Sequence, residues 1–136
     1  MATVFVVEDE PSLQFFYKQI LTLNGFKLAG IASDGEQAVS MFKSFSVKPS
    51  IILMDHRMPI KNGIEASKEI LQIDNTAKII VISAYDSIKE TSQSIGASSF
   101  INKPFSNKKL INEINRVLQH SSYQTIQRDV ISQLKW

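Results

Sequence analysis

Five short apolar runs, separated by longer amphipathic segments, constrain the fold of this chain more than any other feature. The runs are rich in β-branched and aromatic residues, which favours strands over helices; they are Thr3–Val7, Phe26–Ala32, Ile51–Met54, Ile79–Ile82 and Ser99–Ile101. Three of them are apolar without alternation, as is typical of strands covered on both faces. Since parallel neighbours need a crossover, the pattern predicts a doubly wound α/β fold with helices on both faces of a five-stranded parallel sheet.

Residues that start and stop helices support five helices between and after these runs. Pro11 stands where a first helical turn would begin, and Asn24-Gly25 follows the apolar stripe of that helix. Asp34 and Ser106 are placed to cap the second and the fifth helix. Apolar residues at helical spacing indicate the third helix and, more weakly, the fourth.

The length of 136 residues suits one domain with one core. We predict a domain over residues 1–120 and a C-terminal helical extension over residues 121–136. The extension is indicated by apolar residues at helical spacing, which are Tyr123, Ile126, Val130 and Leu134. Its narrow apolar stripe needs burial, so it could fold back, continue the fifth helix or pair with a second copy in a homodimer.

Composition and charge exclude several classes of function. The net charge is only +2, with acids and bases mixed along the chain, so we expect no direct nucleic-acid binding. The absence of cysteine excludes disulfides, thiolate metal sites and cysteine nucleophiles. The N-terminal residues lack the basic and apolar regions of a signal peptide, and no apolar run approaches the roughly 20 residues of a membrane helix. We therefore expect a cytoplasmic protein.

Polar residues follow four of the five predicted strands. They are Glu8 and Asp9 after the first strand, Asp55 after the third, Ser83 after the fourth and Lys103 after the fifth. In open parallel sheets, ligands bind in the crevice at the carboxyl ends of the strands. The sequence therefore predicts three carboxylates, a hydroxyl and an ammonium group at one edge of the sheet.

The types of these residues indicate a cation and a nucleophile. Neighbouring carboxylates repel one another unless a cation lies among them, and hard oxygen ligands without His or Cys suit Mg²⁺. Because Mg²⁺ usually takes only one or two carboxylates with phosphate oxygens, a carboxylate remains free to accept a phosphoryl group as an acyl phosphate. Lys103 would supply positive charge to that group, and Ser83 would supply a hydrogen bond.

The same residues carry a resemblance to the receiver domain of two-component response regulators, over about residues 2–119. The matching motifs, in order, are Glu8-Asp9, Asp55-His56-Arg57-Met58-Pro59 followed by Gly63, Ser83-Ala84 and Lys103-Pro104. The resemblance implies a flavodoxin-like sheet of strand order 2-1-3-4-5, in a chemotaxis-receiver-like protein that stands alone. It also implies that Asp55 accepts a phosphoryl group from the phosphohistidine of a sensor histidine kinase or phosphotransfer protein. In this family the Lys103-Pro104 bond is usually cis.

The resemblance further implies a metal site and a switch. The carboxylates of Asp9 and Asp55 and the backbone carbonyl of Arg57 would bind Mg²⁺ directly, and the carboxylate of Glu8 would act through water. On phosphorylation, Ser83 would move toward the phosphoryl group and Phe100 would turn inward. The surface of the fourth helix, fifth strand and fifth helix would then bind a downstream protein target or a second copy. Phe100 stands where the family often has tyrosine, and Ser83 where threonine is commoner.

Three alternatives remain beside this interpretation. A degenerate receiver would act as a phosphorylation-independent binding module, although the intact Asp55 and Lys103 argue against it. An aspartyl-phosphate phosphatase typically has a second acid two residues after its nucleophile, where this chain has Arg57. A fragment of a DNA-binding regulator would have lost its output domain, since too few residues follow the fifth helix. We expect no conventional enzyme, only phosphotransfer to the protein itself and slow autodephosphorylation.

Two large residues lie beside the predicted site, at Arg57 and Tyr85, two positions after Asp55 and Ser83. We hypothesise that they shield the acyl phosphate from water and slow its hydrolysis. His56 directly follows Asp55, and neighbours along an extended chain point to opposite sides, so we do not expect it to act as a general base.

Overall fold

The computed structural model describes residues 2–119, in which five strands and five helices alternate as predicted. The strands are β1 (Thr3–Val7), β2 (Lys27–Ala32), β3 (Ile51–Asp55), β4 (Ile79–Ser83) and β5 (Ser99–Asn102). The helices are α1 (Pro11–Leu23), α2 (Gly35–Ser44), α3 (Gly63–Ile73), α4 (Ser87–Ser94) and α5 over residues 107–119. The helical extension predicted for residues 121–136 lies outside the described residues.

The strands form one parallel sheet in the order β2-β1-β3-β4-β5. This confirms both the doubly wound α/β fold predicted from the alternation and the strand order implied by the resemblance. Every residue of β3 and β4 is buried, which explains why these segments are apolar without alternation. The carboxyl ends of all five strands point to the same edge of the sheet.

The core consists of two layers, one on each face of the sheet. Because side chains alternate along a strand, Phe5 and Val7 of β1 pack with α2 and α3, while Val4 and Val6 pack with α1 and α5. Fully burying an aliphatic side chain stabilises a fold by about 1.5–3 kcal/mol. A shift of β1 by one residue would exchange the two layers, so this packing specifies the strand register on which the site depends.

Three of the predicted helix ends are visible in the structure, two in capping hydrogen bonds and one in the backbone conformation. Asp34 caps α2, since its Oδ1 accepts a hydrogen bond from the backbone N–H of Gln37 at 2.7 Å. Ser106 caps α5, since its Oγ accepts one from the backbone N–H of Lys109 at 3.0 Å. Gly25 follows α1 with a φ of +83°, a left-handed conformation that glycine adopts without steric cost.

Between residues 2 and 119, no helix has the length and apolar character needed to cross a bilayer.

Candidate functional site

The strand ends bring the predicted polar residues to one edge of the sheet. Glu8 and Asp9 directly follow β1, Asp55 ends β3, Ser83 ends β4 and Lys103 follows β5. Carboxylate oxygens of Glu8, Asp9 and Asp55 lie within 4.8 Å of one another. The acidic cluster and the lysine therefore converge as the sequence predicted, although they come from segments far apart in the chain.

Lys103 bridges two of the three carboxylates. Its Nζ lies 2.6 Å from Asp55 Oδ1 and 3.8 Å from Glu8 Oε1. Its backbone N–H donates to the carbonyl of Ser83 at 2.9 Å, and its peptide bond to Pro104 is cis, as the resemblance implied. Burial pushes the pKa of Lys103 down, but the hydrogen bond and the charge of Asp55 outweigh burial and raise this pKa above its ordinary value. The ammonium group therefore stays charged at neutral pH.

The carboxylates of Glu8 and Asp55 are poorly solvated, with only 1% and 5% of each residue exposed. Burial, together with the negative charge of Asp55, raises the pKa of Glu8 to about 7. Burial also raises the pKa of Asp55, against the opposing effect of the hydrogen bond from Lys103. Three carboxylates face a single ammonium group, so negative charge is left uncompensated in a place that water reaches poorly.

One oxygen of Glu8 shows that the cluster suits a cation. Glu8 Oε2 accepts a hydrogen bond from the backbone N–H of Glu10 at 3.1 Å. Glu8 Oε1 is buried and has no hydrogen-bond partner among residues 2–119. Such an orphaned acceptor is costly, and a bound cation would satisfy it. The donor set contains only oxygen, which fits Mg²⁺.

An open pocket of about 420 Å³ lies beside the acidic cluster and is lined by Asp9, His56, Arg57, Met58, Pro59 and Asn62. Arg57, whose backbone carbonyl was expected to be a metal ligand, is therefore part of the wall next to Asp9. Burial lowers the pKa of His56, so its imidazole is neutral at pH 7 and adds no charge to this wall.

Ser83 and Tyr85 are joined at the end of β4. Ser83 is 3% exposed, and its Oγ accepts a hydrogen bond from the backbone N–H of Tyr85 at 3.1 Å. Arg57 Nη1 donates to the hydroxyl of Tyr85 at 2.5 Å, and Arg57 Cζ lies 5.1 Å from the centroid of the Tyr85 ring. The two residues that we expected to flank the acyl phosphate are thus in direct contact with each other.

Phe100, the residue predicted to turn inward, is half-buried in β5 and packs against the core layer formed with α2 and α3. Its role as a switch stays a prediction.

Two features of the site were not foreseen from the sequence. Gly63 belongs to the recognised motif, but only the structure shows its function: a Cβ at this position would lie 2.2 Å from the carbonyl oxygen of Asp55. The second feature is a largely apolar cavity that shares Lys103 with the acidic cluster; its other lining residues are Leu13, Phe16, Tyr17, Ala84, Pro104, Phe105 and Asn107. The only hint of it in the sequence is the pair of aromatic residues at 16 and 17 on the first helix.

Known proteins share both the sequence pattern and the fold. A family model described as the response regulator receiver domain matches residues 4–115. The chemotaxis protein CheY of Thermotoga maritima is 40% identical over 116 residues, which cover 84% of this chain and 95% of that protein. Protein CcdB of Bacillus subtilis is 37% identical over 122 residues, which cover 88% of this chain and 100% of that protein. A crystal structure of the CheX-CheY-BeF3-Mg+2 complex from Borrelia burgdorferi matches with a TM-score of 0.81 and 30% identity, over 85% of this chain and 88% of the matched chain. Fold, acidic cluster and sequence similarity together show that the chain belongs to the response regulator receiver domain family.

Proposed function

We propose that the protein is a signalling switch in which Asp55 accepts a phosphoryl group from the phosphohistidine of a sensor histidine kinase or a phosphotransfer protein. One observation carries the proposal: the Asp55 carboxylate ends a central strand, within 4.8 Å of two further carboxylates and 2.6 Å from the Lys103 ammonium. A carboxylate in this position has a neighbouring cation ready to receive the charge of a phosphoryl group.

In the proposed transfer, a carboxylate oxygen of Asp55 forms a bond to phosphorus while the bond from phosphorus to the donor's imidazole nitrogen breaks. The nitrogen keeps the electron pair and takes up a proton, and Asp55 becomes an acyl phosphate. The transition state is loose and needs positive charge and positioning more than covalent help. Lys103 would bind one phosphoryl oxygen, and the hydroxyl of Ser83 would donate to another.

The carboxylates of Asp9 and Asp55 and the backbone carbonyl of Arg57 would hold Mg²⁺, with Glu8 acting through water. Bound Mg²⁺ supplies positive charge to the phosphoryl oxygens. The Glu8 oxygen that accepts no hydrogen bond among residues 2–119 and the raised pKa of this residue support a cation at the cluster. The similar complex from Borrelia burgdorferi contains both BeF3 and Mg+2, which agrees with this assignment.

The proposed output is a change in the surface formed by α4, β5 and α5. Movement of Ser83 toward the phosphoryl group, with Phe100 turning inward, would favour a second packing of this surface that binds a downstream protein or another copy of the chain. Phosphorylation would act by shifting the population of two packings, so its effect is limited by the difference in affinity between them. The only chemistry expected of the protein is phosphotransfer to itself and slow autodephosphorylation.

Incubation with acetyl phosphate and Mg²⁺ tests the proposal directly by mass spectrometry. Wild type should gain about 80 Da, which is one phosphoryl group in place of hydrogen. Asp55→Asn should gain nothing, because the amide cannot form the acyl phosphate, and a chelator should block the gain in wild type. Asp74→Asn, at the far end of α3, is the matched control and should gain mass as wild type does. A gain in Asp55→Asn at the wild-type rate would refute the proposal.

The contact between Arg57 and Tyr85 supports a second expectation about the lifetime of the acyl phosphate. The double variant Arg57→Ala with Tyr85→Ala should lose its phosphoryl group about 3- to 10-fold faster than wild type, because a barrier lowered by about 1 kcal/mol gives such a change. The decay of the phosphorylated mass after removal of acetyl phosphate measures this rate. Arg116→Ala, an exposed arginine on α5, should decay as wild type does. An unchanged rate in the double variant would mean that the pair does not shield the site.

A further inference from the structure

The turn between β4 and α4, residues 84–86, makes three hydrogen bonds that involve side chains; we call it the β4–α4 turn. Ser83 Oγ accepts from the backbone N–H of Tyr85 at 3.1 Å. Arg57 Nη1 donates to the hydroxyl of Tyr85 at 2.5 Å. Asn102 Nδ2 donates to Asp86 Oδ1 at 2.8 Å. The three partners come from the ends of three different strands.

Each of these partners is tied to a residue of the proposed phosphorylation site. Arg57 lies two residues after Asp55, Ser83 is itself the proposed hydroxyl donor, and Asn102 directly precedes Lys103. A displacement of any of these strand ends therefore acts on the β4–α4 turn through a direct hydrogen bond.

Helix α4 packs weakly against the sheet, through Ile88 and, at its C-terminal end, Ile95, which are only partly buried. The helix has eight residues, and its one buried residue is Ser92. Asp86 stands at the N-cap, but its side chain makes no capping hydrogen bond to the helix. Its carboxylate instead bonds Asn102 of β5, so it links α4 to the strand that leads into Lys103. Elements with few buried apolar contacts open at low free energy, which makes α4 easy to displace.

We propose that the hydrogen bond between Asp86 and Asn102 couples the position of α4 to phosphoryl binding at Asp55. It holds α4 in the position seen here, in which Lys103 is bonded to Asp55. When the Ser83 hydroxyl turns toward a phosphoryl group, the N–H of Tyr85 loses its acceptor, the β4–α4 turn shifts and Asp86 separates from Asn102. This inference rests on the proposed function of Asp55, and it names two positioning residues through which that function reaches α4.

The coupling has a definite sign. In the proposed coupling, the bond between Asp86 and Asn102 exists only in the packing without a phosphoryl group. A mutation that breaks it must therefore favour the packing that binds a phosphoryl mimic. The affinity for the mimic should rise by the same factor as the equilibrium constant between the two packings. Both side chains are exposed, so the effect is that of one modest hydrogen bond, a change of about 2- to 10-fold in an equilibrium constant.

The probe is beryllium fluoride in excess Mg²⁺, with its affinity measured by calorimetry. Asp86→Ala and Asn102→Ala should each bind it about 2- to 10-fold tighter than wild type. The double alanine variant should bind no tighter than either single variant, because all three lack the same bond. The exchanged pair, Asp86→Asn with Asn102→Asp, should return to the wild-type affinity, since an amide again faces a carboxylate. Glu90→Ala removes a similar charge from α4 without touching β5 and should bind as wild type does.

Hydrogen exchange of the wild-type amides in residues 87–94 gives a second readout that needs no variant. Beryllium fluoride should speed this exchange relative to the amides of α3, because it releases α4. Four outcomes would each overturn the inference while leaving the proposed function intact. They are equal affinities in wild type and the alanine variants, additive effects in the double variant, failure of the exchanged pair to restore affinity, and slower exchange in α4. Wild-type protein that does not bind beryllium fluoride at all would overturn the proposed function, and this inference with it.

Discussion

Replacing Gly63 with alanine will destabilise the domain by about 1–3 kcal/mol, the usual cost of forcing an extra group into a packed interior. The added Cβ would lie 2.2 Å from the carbonyl oxygen of Asp55 and 2.8 Å from the Cα of His56. Both are backbone atoms at the end of a buried strand, so neither can move aside without moving the strand. The backbone N–H of Gly63 also donates to the carbonyl of His56 at 2.9 Å, which ties the start of α3 to the residue after Asp55.

The midpoint of urea unfolding measures this effect, and the rate of phosphorylation by acetyl phosphate should fall with it. Gly30→Ala is the matched control, because the atom nearest to its added Cβ is Met41 Cε at 2.9 Å, the free end of a flexible side chain. We expect Gly30→Ala to cost less than Gly63→Ala and to leave the phosphorylation rate unchanged. If Gly63→Ala were as stable as wild type, the backbone of the loop after β3 could move aside at lower cost than its packing indicates.

Replacing Glu8 with glutamine will stabilise the protein without Mg²⁺ at about pH 8 and weaken its binding of Mg²⁺. The folded protein raises the pKa of Glu8 from an ordinary 4.5 to about 7, through burial and the charge of Asp55. The folded form therefore holds this proton more tightly than the unfolded form does. The contribution of this proton to the free energy of unfolding is complete below pH 4.5 and is lost as the pH rises through 7.

The size of this loss follows from the shift, since each pKa unit corresponds to about 1.4 kcal/mol and the total is therefore up to about 3 kcal/mol. Glutamine stays neutral, so the variant should lose less stability than wild type between about pH 5 and pH 8, while the raised pKa of Asp55 acts in both proteins. With saturating Mg²⁺ the order should reverse, because the ionised carboxylate of Glu8, acting through water, strengthens Mg²⁺ binding and the ion stabilises only the folded form.

Urea unfolding in a chelator at the two pH values, and again with Mg²⁺, measures both parts of this prediction. Glu90→Gln, an exposed acid on α4, should behave as wild type in every condition. The same pH dependence in Glu8→Gln and wild type would mean that Glu8 is not the group whose ionisation destabilises the protein. An unchanged Mg²⁺ affinity in the variant would remove Glu8 from the metal site.

Local patterns in the sequence were enough to predict the elements of this fold. The apolar runs at 51–54 and 79–82 became fully buried strands because only a strand covered on both faces can use consecutive apolar side chains. The caps at Asp34 and Ser106 were predictable because a capping hydrogen bond joins residues three apart in the chain. The strand order, in contrast, came from the resemblance and not from any pattern within the runs.

The acidic cluster was predictable from the sequence only in part. Parallel strands must end at one edge, so the position of Glu8, Asp9, Asp55 and Lys103 after apolar runs predicted that they would converge. Which of them would pair was open, because the pairing depends on side-chain conformations and on the register of non-neighbouring strands. The structure pairs Lys103 most closely with Asp55, and among the described residues one oxygen of Glu8 accepts no hydrogen bond.

Asp55 shows where prediction from the sequence ends. Its place at the end of a buried strand, and the types of residue expected around it, follow from periodicity and strand direction, which are properties of short segments. Other contacts join residues that are distant in the chain. They are the close approach of Gly63 to the carbonyl of Asp55 and the hydrogen bonds from Arg57 and Asn102 to the β4–α4 turn. Such contacts exist only once packing has set the distances between elements to within a few tenths of an ångström, and no local pattern specifies those distances.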